Sequence, residues 1–191
     1  MSKPKLKDPC GVLNLESYKP PTLNDPTSFE SGKYTFIDSN IKYVVEYDEG
    51  ERKSYIVEPS KLLVECKLYP KDSCYPNTIA INDVAMSKEK HMCSKSVAYA
   101  LKVLLLEGAK ENEFPFTGRV YLVIETKDAC NAVNCYSHAF QMNGFQPNHR
   151  EIMRFRRKHI RHNKEKFLFL FSNFTSATQK EKYDKLHQLK L

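Results

Sequence analysis

Two short apolar runs, each followed by a helical stripe, constrain this chain more than any other feature. TIAINDVAMS (78–87) and RVYLVIET (119–126) are rich in β-branched residues and nearly free of charge, the pattern of strands covered on both faces. Beyond the first run, Val97, Ala98, Leu101, Leu104 and Leu105 recur at three- and four-residue spacing, with Gly108 near the end. Beyond the second, ACNAVNCYSHAFQMNGF (129–145) brings Ala132, Cys135, Tyr136, Ala139, Phe140 and Met142 close to one helix face. Asn131 or Asp128 suits the start of that helix, and Gly144 suits a left-handed stop. A helix between two strands is the connection that parallel pairing requires, so the region reads as strand, helix, strand, helix with parallel strands.

Hairpin signals surround this unit. KYTFIDS, IKYVVEY and SYIVEP read as strands, with the polar insert DEGERK turning the second into the third. LLVECKLY follows as a further strand, bounded by the turn-forming PKDSCYPN. EIMRFRR and KFLFLFSNF read as a late strand pair joined by the basic loop KHIRHNKE. Residues 1–32 hold five of the ten prolines and little apolar periodicity, which makes them an irregular arm. One domain is expected over 33–178, and 179–191 reads as a surface tail or short helix.

An apolar fraction of 41% and an aromatic fraction of 12% exclude a disordered chain. No stretch approaches the roughly 20 apolar residues of a membrane span, and MSKPKLKDPCG lacks an apolar signal core. The expectation is therefore a protein of the cytoplasm or nucleus, without membrane contact. Its six scattered cysteines are expected to be mostly reduced thiols. Charge is concentrated: Arg150 to Lys166 carries eight Lys or Arg against two acids, so this segment supplies six of the net +7. Such a patch favours an anionic partner.

TIAINDVAMS, SKEKHMCSK, SVAYALKVLLLEGA, RVYLVIET and AVNCYSHAFQMNGF, in this order and with these lengths, resemble the GNAT superfamily of N-acetyltransferases over about residues 77–174. The resemblance implies an α/β fold, a GNAT-like mixed sheet with central splayed parallel strands flanked by helices. It implies acetyl-coenzyme A as cofactor and direct attack by an amine acceptor, on a protein or a small molecule. The cofactor would lie against Val84, Ala85 and Met86, with Lys90, Ser94, Lys95 and Ser96 gripping phosphate and Asn131 and Phe140 completing the cleft. Two departures are plain. The phosphate loop KEKHMCSKSV has no glycine, so side chains of Lys88, Lys90, Lys95, Ser94 and Ser96 must replace some backbone contacts. Phe140 stands where many members carry the tyrosine that protonates the leaving thiolate, and Phe has no proton to give. Tyr136, one turn earlier, is the candidate acid, and Asp83 or Glu125 the candidate base.

A reading from another class rests on MRFRRKHIRHNKEKF, where aromatic and basic residues interleave. Arg154, Arg156, Arg157, Lys158 and Arg161 would bind nucleic acid or an acidic protein on a domain without catalysis. A metal site is not expected, since Cys130 points away from Cys135 and His138 on one helix.

Overall fold

Alternation of large apolar and polar residues organises the first half of the chain. In β2 (Lys33–Asp38) Tyr34, Phe36 and Asp38 are buried while Lys33 and Ile37 are exposed. The same period continues through Tyr43 and Val45 of β3 (Ile41–Glu49), Tyr55 and Val57 of β4 (Lys53–Glu58), and Leu62 and Val64 of β5 (Leu62–Leu68). The computed structural model describes residues 18–30, 32–49, 53–68, 78–85, 93–110, 117–126, 129–147 and 165–175, with side chains described over 18–30, 32–48, 54–65, 94–107 and 134–145.

Short turns set the topology. Asp38 pairs with Ile41, which leaves Ser39 (φ 48°) and Asn40 (φ 66°) as a two-residue turn with both φ values positive, the geometry that matches strand twist. Glu49 pairs with Lys53 around the DEGERK insert, as its polar composition predicts. With the short edge strand β1 (Ser28–Glu30), these strands form an antiparallel sheet in chain order, and β6 (Thr78–Ala85) adds antiparallel to β5. Next come β7 (Thr117–Thr126), then β9 (Glu165–Thr175), with the two-residue β8 (Gln146–Pro147) at the far edge.

The expected α/β fold, a mixed sheet with central splayed parallel strands flanked by helices, is corrected by this arrangement. The body of the structure is the five-stranded antiparallel sheet β1–β5 with two helices, α1 (Cys93–Lys110) and α2 (Ala129–Met142). Among the described residues seven of the eight strand pairs are antiparallel, and α1 packs on β3, β4 and β5 rather than on the parallel pair. The physical reason is loop length. Turns of two to four residues join successive strands from β2 to β5, and such turns permit only antiparallel neighbours. The expected strand EIMRFRR, the arm before Tyr18 and the tail 179–191 lie outside the described residues.

From Ser96 through Glu107 every α1 side chain is buried, because the sheet, α2 and the arm cover different sides of it. Each Leu or Val enclosed in this way contributes about 1.5–3 kcal/mol relative to exposure. Helix α2 ends as its sequence predicts. Gly144 (φ 90°) donates to Gln141 O at 3.0 Å and Phe145 N donates to Phe140 O at 3.3 Å, closing a left-handed cap. The Phe145 ring stacks on Phe140 at 4.0 Å, the apolar contact that locks such a cap.

Candidate functional site

Strand directions decide which groups share an edge. Since β3 and β5 run opposite to their neighbours and β7 runs parallel to β6, the strands β2, β4, β6 and β7 point the same way. Asp38, Glu58, Ala85 and Thr126 therefore end on one edge of the sheet. The start of α1 joins this edge, for Ser96 Oγ lies 2.9 Å from Ser60 Oγ, which in turn donates to Val57 O at 3.0 Å. Its last turns lie toward the opposite edge, where Glu107 accepts a hydrogen bond from Tyr34 at the beginning of β2.

Two backbone features mark the junction of β6 and β7. Their parallel ladder covers Thr78–Ile81 against Tyr121–Ile124. On the other side of β6, Glu65 faces Asp83 and Cys66 faces Ile81, so Asn82 is the extra residue of a β-bulge, and it follows directly on the end of that ladder.

The best-defined polar cluster on this edge centres on Asp38. Lys95 Nζ lies 2.9 Å from both carboxylate oxygens, Tyr99 donates its hydroxyl to Oδ2 at 2.8 Å, and Ser39 Oγ donates at 3.1 Å. Burial pushes the Asp38 carboxyl up, but the hydrogen bonds from Lys95 and Tyr99, the Lys95 charge and Ser39 together hold it below its ordinary value. Burial, followed by its bond to Asp38, pushes the Tyr99 hydroxyl far above the usual tyrosine range, so Tyr99 acts as a donor at every working pH.

An arm closes over the cluster. Lys102, buried on α1, points its ammonium at Asn24 O (2.8 Å), Leu23 O (3.4 Å) and Asp25 Oδ1 (3.2 Å). Asn24 N donates to Tyr99 Oη at 3.4 Å and Asn24 Nδ2 to Ile37 O at 2.6 Å. Earlier in the arm, Tyr18 stacks on His138 of α2 with ring centroids 4.0 Å apart. At the other end of α2, Asn143 Nδ2 donates to Ala98 O at 3.0 Å and ties the helix to α1.

The residues expected at a cofactor site are distributed as follows. Asp83, Val84 and Ala85 lie in β6 opposite Glu65, Val64 and Leu63, and Glu125 lies in β7 opposite Lys166. Asn131 falls in the first turn of α2, and Ser94, half-buried, in the first turn of α1. Lys95 is engaged by Asp38, and Ser96 is wholly enclosed against Ser60. Tyr136 is 6% exposed, whereas Phe140 is fully enclosed and holds the helix cap. Met86, Lys90, Arg154, Arg156, Arg157, Lys158 and Arg161 lie outside the described residues. Sequence reasoning missed Asp38, Tyr99 and Lys102. A signal existed for two of them: Asp38 continues the inward alternation of Tyr34 and Phe36, and Lys102 interrupts the apolar stripe ALKVLLL.

Cys135 is buried and disulfide-bonded. Among the described residues no group of three His, Cys, Asp or Glu side chains is arranged to hold a metal, and no helix is long and apolar enough to cross a membrane.

His138 gives the site a measurable pH dependence. Burial holds its imidazole below the ordinary value, so the unfolded chain binds that proton more readily. The stability contributed by the neutral, stacked form is complete above about pH 6.5 and is lost as pH falls through the depressed folded value. Denaturation between about pH 7 and pH 5 should show a decline of at most about 1.4 kcal/mol per pH unit from this group, absent in His138→Phe. Parallel curves for the two proteins would refute the assignment. Comparison with known proteins finds no match: neither a family model, nor a curated protein, nor a solved structure corresponds to this chain.

Proposed function

We propose that the chain is a divergent N-acetyltransferase, taking acetyl from acetyl-coenzyme A and passing it to an amine by direct attack. One observation carries the reading. The only parallel ladder among the described residues, joined through α1, stops at Ile81 and Ile124 beside the Asn82 bulge, on the sheet edge where α1 and α2 both begin. In sheets with parallel strands, ligands bind beyond the carboxyl ends of such a pair, and bulges recur beside active sites. The first turn of α1 holds no acidic residue, and its free N–H groups and dipole favour a phosphate.

In this chemistry the amine nitrogen attacks the thioester carbonyl, and the carbon–sulfur bond breaks as the amide forms. Asp83 or Glu125 would take the proton from the amine, and Tyr136 would give one to the departing thiolate. Ser94 and Lys95 would hold the cofactor phosphates. Calorimetry is the test: acetyl-coenzyme A should bind, Lys95→Ala should weaken it severalfold, and no heat at millimolar cofactor would end the proposal.

A second reading is favoured by the charge distribution. The segment Arg150 to Lys166, which carries six of the net +7, runs into the start of β9, where Glu165 pairs with Thr126 at the carboxyl end of β7. Binding of nucleic acid through Arg154, Arg156, Arg157, Lys158 and Arg161 should weaken steeply with salt, and a flat salt response would remove this alternative.

A further inference from the structure

The arm that crosses α1 is held by few groups, and they differ in kind from what lies beneath. Of residues 18–26 only Leu23 is buried, at 6% exposure, while Lys19, Pro20, Pro21, Thr22, Asn24 and Asp25 are exposed. Among the described residues the remaining attachments are the Tyr18–His138 stack, the Asn24 hydrogen bonds and the oxygens around Lys102. The first backbone hydrogen bond from this part of the chain to the sheet is Thr27 N to Thr35 O, at 2.7 Å. Ordering a segment costs conformational entropy at every residue, and one buried leucine with a handful of polar contacts offsets little of it. The α1 side chains below have the sheet and α2 as further cover, so they stay packed when the arm lifts.

We infer that residues 18–26 form a releasable strap, clasped by Lys102, that opens and closes over the Asp38–Lys95–Tyr99 cluster while the body of the protein stays folded. Lys102 favours both states unequally. Closed, it satisfies two backbone carbonyls and the half-exposed Asp25 carboxylate, and open, it regains water. Asn24 sits directly on the Tyr99 hydroxyl, which donates to Asp38. Lifting the strap therefore uncovers one side of that carboxylate cluster without breaking a strand pair. The inference stands on packing alone and does not depend on the acetyltransferase reading.

Native-state hydrogen exchange on the full chain tests it. Amides of residues 22–25 should exchange through an opening that is insensitive to low urea, at least a hundredfold faster than those of β3 and α1. Leu23→Ala and Lys102→Met should each accelerate the arm amides tenfold or more while leaving β3 protection within a factor of three. If either variant folds poorly, the wild type still decides. Arm amides that share the urea dependence and protection of β3 would place the arm in the cooperative core and overturn the strap.

Discussion

Phe140→Ala should cost the fold about 3–5 kcal/mol, measured by urea denaturation against wild type. Phe140 is fully enclosed and stacks on Phe145 across the Gly144 cap, so truncation leaves a cavity and removes the apolar lock at once. Phe140→Leu, which keeps much of the volume, should recover about half of that loss. The position also bears on the resemblance. Phe140→Tyr would restore the residue common in N-acetyltransferases, yet it would bury a hydroxyl in a stacked aromatic contact and should cost about 1–3 kcal/mol. A destabilised Phe140→Tyr protein with no gain in turnover is the expected result. Full stability with increased acetyl transfer would show that the site tolerates a tyrosine here and would reverse the packing argument.

Tyr34→Phe should have the next largest effect, about 2–3 kcal/mol, because it strips a buried carboxylate of its donor. Glu107 is 4% exposed and accepts from the Tyr34 hydroxyl, whose own proton burial and the carboxylate hold far more tightly than usual. Removing one partner of such a pair is costly, while removing both can be nearly neutral. The double variant Tyr34→Phe/Glu107→Leu should therefore regain most of the stability lost in the single one. Additive losses in that cycle would show that the two side chains do not act as a unit.

How much of this was legible in the sequence depends on the kind of signal. Periodicity found β2 to β5, both helices and the Gly144 stop, because each is written within a window of ten or so residues. Strand order was harder. TIAINDVAMS and RVYLVIET do pair in parallel, but giving them the centre of the fold undervalued the hairpins, which set the direction of most of the sheet. The candidate site was least legible. Lys95 reads as a phosphate-binding lysine in the sequence, and its pairing with Asp38 of β2, 57 residues away, lies beyond any local pattern. Phe140 read as a defect in a catalytic motif, whereas its stack with Phe145 gives it a job in ending the helix. The disulfide at Cys135 could not be read from spacing at all.

The link from Lys102 to Asn24 spans 78 residues, and it orders events on the ribosome as well as atoms in the fold. The hairpins β2 to β5 emerge first, with Tyr34, Phe36, Val45, Tyr55 and Val64 on the face that α1 will later cover. Roughly forty more residues must be made before α1 is complete, a delay of about 2–8 s at common synthesis rates. During that interval a nascent sheet presents an aromatic face to solvent or to a chaperone. The three-residue β1 then has a protective use, since so short an edge offers another nascent chain little to pair with while the helix is awaited.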